Sequence, residues 1–277
     1  MGDTEQAILV EGSGRNSGYD PECFDELALV EDRHYWFRAR SKAISAIAAQ
    51  ITAAVRPSYR ILEVGCGTGN VLRALRQSCP GAQVIGMDFL AEGLRHAQRR
   101  SNCPLVQGDL RRPPFSPVFN LVGAFDVIEH VQDDVMVLGL LHNLLRPDGL
   151  LLLTVPAHPN LWSYFDEYSC HCRRYAKQDL RKKLVQTGFK VEYLTPYMSA
   201  TLPLLWLARR AFARGRIAAG AELDPSRVRQ LAARELRVIP VFNQILAFVL
   251  SQEANFLSRR WQLPFGSSFL VVASKTL

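Results

Sequence analysis

The sequence predicts an α/β fold built on an open, mostly parallel sheet, and three observations carry this. Residues 60–155 alternate short apolar runs with stretches of helical period, the pattern of parallel strands joined by crossover helices. Ile61-Leu62-Glu63-Val64 runs into Gly65-Cys66-Gly67-Thr68-Gly69, and Asn70-Val71-Leu72 then opens a helical pattern. A strand, a tight turn and a helix start follow one another there. Glycines at such a turn let the backbone reverse sharply and approach a ligand, because no Cβ intervenes. Finally, residues 150–155 are apolar except for Thr154, as suits a strand buried on both faces.

The elements follow in order. Residues 19–53 read as helical, with Ile44, Ile47, Ala48 and Ile51 at helical spacing. Within them His34-Tyr35-Trp36-Phe37 is either a lid over the glycine turn or a plug at the core edge. Val84-Ile85-Gly86-Met87-Asp88 is a second strand ending in an acid, and Leu105 to Gln107 a third, closed by Gly108-Asp109. A fourth strand begins at Leu121 and runs into the polar tip Asp126-Val127-Ile128-Glu129-His130. Residues 133–145 form a helix closed by Arg146-Pro147-Asp148-Gly149, a turn signal. A helix over 177–187 ends at Gly188, strand six covers 189–194, and 269–273 make the last strand. Between those two strands the chain inserts two helical parts, 198–216 and 225–260, joined by 217–224. The expected organisation is an N-terminal helical lid over 1–56, a core over 57–197, a helical cap over 198–262 and the last core strand over 263–277.

With 277 residues, 48% of them hydrophobic, the chain suits one full α/β domain with additions. Its six cysteines are scattered and Cys66 lies in the glycine turn, which argues against a disulfide framework and for a reducing, cytoplasmic setting. Residues 1–16 lack the basic and apolar regions of a signal peptide, and no apolar run reaches the ~18 residues of a spanning helix. The net charge is +7, and its distribution is uneven. Residues 198–262 hold ten arginines, four acids and no lysine, a net of +6. This insertion reads either as a cap lining an acceptor pocket or as a basic, apolar face for peripheral membrane contact. A nucleic-acid partner is disfavoured: no RNA-binding module is visible, and the basic segment is too apolar for an ordinary RNA face.

In the glycine turn the third glycine comes one residue earlier than in dinucleotide enzymes, and an acid stands two residues before the first. That variant resembles motif I of the class I S-adenosylmethionine (SAM) methyltransferases. The resemblance implies a Rossmann-like, seven-stranded, mostly parallel sheet with an antiparallel last strand, and SAM as cofactor. It places the methionine part of SAM on Glu63 and on the turn Gly65, Cys66, Gly67 and Gly69. It places the ribose on Asp88 beside Phe89, and the adenine on Asp109 and Leu110, with Asp126 at the tip of strand four. Chemistry agrees at Asp88, since a carboxylate at a strand tip can accept both hydrogen bonds of a ribose diol.

If the chain turns towards helix after Asp126, then Asp126, Glu129 and His130 share one face, and together they suit a divalent cation. Tyr168-Ser169-Cys170-His171-Cys172-Arg173-Arg174-Tyr175 brings a second histidine before the next helix. This pattern is similar to that of the small-RNA 2′-O-methyltransferases and the ubiquinone-pathway O-methyltransferases. The resemblance implies a divalent metal on Asp126, Glu129, His130 and His171, with Asp126 where those families carry Glu. Metal-free relatives also carry Glu-His here, against the cofactor. The candidate bases for deprotonating an acceptor are His130, His171 and then His158, which follows strand five. Thr154-Val155-Pro156-Ala157-His158, Leu161-Trp162-Ser163, Asp166, His171-x-x-Arg174-Tyr175, Leu180 and the closing Leu263-Pro264-Phe265-Gly266 resemble a bacterial methyltransferase group of undefined acceptor. The expected function is methyl transfer to oxygen of a small-molecule or lipid-linked acceptor. The alternatives are an RNA 2′-O-methyltransferase and a SAM-binding, membrane-docked protein without catalysis.

Overall fold

The computed structural model describes residues 23–207, 209 and 225–276. Residues 1–22, Arg210, Arg214, Arg216 and the connector 217–224 lie outside the described residues. Seven strands form one sheet in the order β3-β2-β1-β4-β5-β7-β6. They are β1 (Tyr59–Val64), β2 (Ala82–Asp88), β3 (Leu105–Gln107), β4 (Phe119–Phe125), β5 (Leu145–Pro156), β6 (Phe189–Tyr197) and β7 (Ser268–Lys275). Strands β1 to β5 pair in parallel, and β7 pairs antiparallel with both β5 and β6. The seven-stranded, mostly parallel sheet is therefore as expected, with β6 and β7 adjacent although the insertion separates them in sequence.

Two cores flank this sheet, because alternate strand residues point to opposite faces. Leu62, Leu151, Leu153, Val271 and Ala273 face α5 (Asp134–Leu144) and α7 (Lys177–Gln186). Ile61, Leu152, Leu270 and Val272 face α2 (Tyr35–Thr52), α3 (Asn70–Ser78) and α10 (Pro240–Ser258). The remaining helices are α1 (Cys23–Val30), α4 (Ala91–Ser101), α6 (Tyr164–Tyr168), α8 (201–207) and α9 (Pro225–Glu235).

The N-terminal region is two helices rather than one. Residues 31–34 interrupt it, and the His34 side chain caps α2 by accepting from the Trp36 amide. Long-range clamps fix this break. Glu31 receives hydrogen bonds from Thr68 of the glycine turn and from Arg100 of α4. Asn243 of α10 accepts from the Tyr35 amide at 2.6 Å and donates to the Arg33 carbonyl at 2.7 Å. Arg260 just past α10 reaches Gln50 near the end of α2, so the two helices lie side by side and run the same way. The second helical part of the insertion also divides, since Pro240 occupies the first turn of α10 and cannot continue a helix from α9.

Candidate functional site

The glycine turn takes the predicted form. Gly65, Gly67 and Gly69 have φ of 67°, 50° and 78°, a region that L side chains rarely adopt. A Cβ on Gly65 would also stand 2.6 Å from Val127. The turn opens onto a cavity of about 920 Å³ at the carboxyl edge of the sheet, where ligands sit in open α/β folds. Glu63, Gly65, Cys66, Gly67, Asp88, Phe89, Asp109, Leu110 and Asp126 all line it. Gly69 does not: it caps α3, where a Cβ would meet Ala97 of α4 at 2.9 Å, so its role is helix packing. On the other side stand α1 and the start of α2, with Phe24, Leu27, His34, Trp36 and Phe37 at the wall. His34, Trp36 and Phe37 thus stand at the cavity wall, while Tyr35 and Trp36 also pack against the core.

The acids of this half differ in environment. Glu63 is buried, and its Oε2 has no partner among the described residues. Burial pushes its carboxyl well above the usual value, with Arg40 acting the other way. Asp88 accepts from the Gly67 amide at 2.8 Å and the Leu90 amide at 2.9 Å, so it braces the turn it faces. Burial still raises its pKa, against those amides. Asp109 is held below its ordinary pKa by Arg111, which forms a two-pronged pair with it at 2.6 and 2.9 Å.

Beyond this half the chain gathers a second group. Asp126 has φ 56°, so the chain reverses there and makes only a single 3-10 turn over Ile128–His130. The Asp126 carboxylate holds Arg40 Nε at 2.5 Å, while Arg40 also donates to the Phe125 carbonyl at 2.6 Å. Asp126 therefore stands apart from the predicted ligand set, because the αL turn and Arg40 take its carboxylate elsewhere. Glu129, His130 and His171 do converge, each with a ligand atom within 4.8 Å of the others. The two imidazoles meet edge to face at 4.8 Å between centroids. The loop bearing His171 is stitched to the 3-10 turn, since the Cys172 amide donates to the Glu129 carbonyl at 2.6 Å.

Glu129 is fully buried, and neither carboxylate oxygen has a partner among the described residues. Burial, then the Asp126 charge, raise its pKa well above the usual value. Burial, then the neighbouring His171, push His130 down to about 4, so its imidazole is neutral near pH 7. His171 Nδ1 lies 3.0 Å from Asp166 Oδ1, which leaves Nε2 for the cavity. Asp166 is itself buried and accepts from Arg174 Nε at 2.6 Å and the Ser163 amide at 2.9 Å. Burial alone would raise Asp166, but His171 and Arg174 outweigh it and hold the carboxyl below its ordinary value. An ionised Asp166 fixes a proton on His171 Nδ1. His158 does not reach the cavity wall. Its φ of 62° turns the chain, and its Nε2 meets the Gly266 carbonyl at 3.0 Å, which makes it a support for the β7 approach.

Sequence reasoning missed the roles of Arg40 and Asp166. Asp166 had a local signal, as the fourth residue of the capping box Ser163-x-x-Asp166 on α6. Arg40 had a weaker one, a cation on a helix whose neighbouring inward positions are Ala39, Ala43 and Ile44.

A glycine turn with a buried acid before it, one acid at each of the next two strand ends and a basic-acidic cluster after β4 now share one cavity. The family model described as "Methyltransferase domain" matches residues 33–194. The chain belongs to the SAM-dependent methyltransferase superfamily. It is similar to trans-aconitate 2-methyltransferase of Deinococcus radiodurans, 33% identical over 130 residues, 46% of this chain and 49% of the relative. It is also similar to malonyl-[acyl-carrier protein] O-methyltransferase of Legionella pneumophila, 35% identical over 100 residues, 34% of this chain and 35% of the relative. The chain thus matches half or less of the length of these relatives. Among solved structures it resembles phosphoethanolamine N-methyltransferase 2 of Haemonchus contortus in complex with SAM, with a TM-score of 0.52, 17% identity, and coverage of 92% and 60%. That likeness concerns the fold.

Proposed function

We propose that this methyltransferase transfers a methyl group to an oxygen of a small-molecule or lipid-linked acceptor held between the glycine turn and His171. The observation that carries the reading is the convergence of the cofactor half and the Glu129–His130–His171 group on one cavity. The cofactor supplies a methyl carbon already activated by a sulfonium, so the protein's work is alignment and deprotonation. The residues fit SAM. Glu63 offers a buried, unpartnered oxygen to its amino end, the Gly65–Gly67 backbone offers close approach, and Asp88 offers the ribose acceptor. Asp109 would take the adenine amino group once Arg111 yields, and an exposed pair of this kind costs little to open. His171, oriented through Nδ1 by Asp166, is the base that takes the acceptor proton at Nε2. His130 packs against it as a neutral imidazole, and Arg40 with Asp126 walls the cavity between the two halves. In this reading residues 198–262 cap the acceptor end, where Leu205, Arg209, Glu235 and Leu236 line the cavity.

Titration calorimetry with SAM tests the cofactor half. Asp88→Ala removes an acceptor for charge-assisted hydrogen bonds of roughly 1.5–3 kcal/mol each, so affinity should fall at least about tenfold. Unchanged affinity in both Asp88→Ala and Gly67→Val would remove the assignment.

A metal-assisted version has its own support in Glu129, whose buried oxygens lie unpartnered beside two imidazoles. One carboxylate and two histidines form a suitable donor set for a divalent cation such as zinc or manganese. Direct titration of the metal-free protein with each ion should then give one site, lost in both Glu129→Ala and His171→Ala. Absence of any heat beyond dilution would leave His171 as a metal-independent base.

A further inference from the structure

The outer face of α10 is a large feature that methyl transfer leaves unused. The helix has 19 residues, about 28 Å at helical rise. Its inner face, Leu246, Leu250, Ala254 and Leu257, is buried against the core. Its outer face exposes Val241, Ile245, Phe248, Val249 and Phe256, to 72, 57, 69, 44 and 39% respectively. The helix contains a single charged side chain, Glu253, and that is buried on the Met198 and Ser199 amides. A surface helix ordinarily carries its charge outward. Here the charges stand only beyond the two ends: Arg234 and Arg237 before the helix, Arg259 and Arg260 after it, all four exposed. Trp261, 55% exposed, stacks on Phe256 at 5.4 Å.

An apolar body with basic ends and a tryptophan at one end matches a helix lying in a membrane interface. The apolar side chains sink below the headgroups, the arginines reach lipid phosphates, and the indole sits at the boundary. We propose that the outer face of α10, with Arg234, Arg237, Arg259 and Arg260, docks this protein flat on an anionic lipid bilayer. Among the described residues no helix is long and apolar enough to cross a membrane. A second copy of the chain fits the face less well. A two-fold contact lays the patch on itself. Whether the paired helices run parallel or antiparallel, arginines then face arginines, whereas lipid phosphates supply the opposite charge. Docking stands on this surface alone. Its consequence for the acceptor rests on the methyl-transfer reading: Glu235 and Leu236 line the cavity just before α10 begins, so a seated α10 holds that corner at the lipid surface.

Vesicle flotation of the full chain tests this, using phosphatidylcholine alone and phosphatidylcholine mixed with phosphatidylglycerol, at low and high salt. The protein should float with the mixed vesicles only, and less at high salt. The double variant Ile245→Gln/Phe248→Gln changes exposed side chains and should keep its melting temperature while losing flotation. Removing arginines 259 and 260 should weaken binding about fivefold each. Three results would each overturn the proposal: no flotation with either vesicle, flotation of the double variant equal to wild type, or a concentration-dependent dimer that the same substitutions dissolve. SAM affinity measured on the same samples keeps failure of docking distinct from failure of the methyltransferase site.

Discussion

Replacing Glu129 with glutamine should stabilise the ligand-free protein above mildly acidic pH while lowering methyl transfer by about a hundredfold or more. Glu129 is fully buried, with no partner for either oxygen among the described residues, and burial drives its pKa well above the ordinary 4.5. The unfolded chain gives up this proton near the ordinary value, but the folded chain keeps it. Between those two pKa values the unfolded state binds fewer protons, so stability falls as pH rises through that window. Glutamine has no proton to lose and removes this slope. Melting curves of the two proteins should therefore coincide below about pH 4, with the variant pulling ahead as pH rises. The activity loss comes from the other side of the same fact. A carboxylate kept in an unfavourable place is expected to serve the acceptor or a cation beside His130 and His171. A variant with wild-type turnover would remove Glu129 from the reaction, and one less stable at every pH would mean that its carboxylate has a stabilising partner.

The parts of this molecule that could be read from sequence are those set by local pattern. The glycine turn, the acidic strand ends and the apolar strands depend on neighbours a few residues apart, and they lie where expected. Distant partners decided the rest. Helical spacing after Asp126 grouped Asp126 with Glu129 and His130, but Arg40, 86 residues earlier, captures its carboxylate, and the αL backbone breaks the helical continuation. The break between α1 and α2 depends on Thr68, Arg100 and Asn243, none of them local. Residues 146–149 read as a turn outside the strand, yet β5 begins at Leu145. A register shift between Phe119 and Leu121, with Asp148 at φ 62°, lets the strand pass through the turn residues. His158 looked like a base because it follows a strand at the active edge. Its fate was set by the Gly266 carbonyl, 108 residues later. In the insertion the apolar content announced helices, but which face of α10 meets α2 became visible only once the two were packed.

Asp166→Ala should cost about 3–5 kcal/mol of stability, the usual price of removing one member of a buried ion pair. Asp166 has a fully buried side chain, and Arg174, its partner at 2.6 Å, is only 6% exposed. Without the carboxylate that guanidinium keeps its charge, its burial and its bond to the Ala157 carbonyl, but loses its counter-charge. At about 2–4 °C per kcal/mol for a chain of this size, the melting temperature should fall by roughly ten degrees. Asp166→Asn separates fold from function. It can still cap α6 through the Ser163 amide, but it no longer supplies the charge that keeps a proton on His171 Nδ1. The asparagine variant should fold, and its turnover should fall more than its acceptor affinity. The pH behaviour gives a further check. The Asp166 pKa is lowered by folding, so its stabilisation is present above the ordinary carboxylate value and disappears as pH falls through the lowered one. The wild type should therefore lose its advantage over both variants on acidification. An unchanged melting temperature in Asp166→Ala at pH 7 would mean that the Arg174–Asp166–His171 pairing does not hold this loop, and His171 would then lose its claim to be an oriented base.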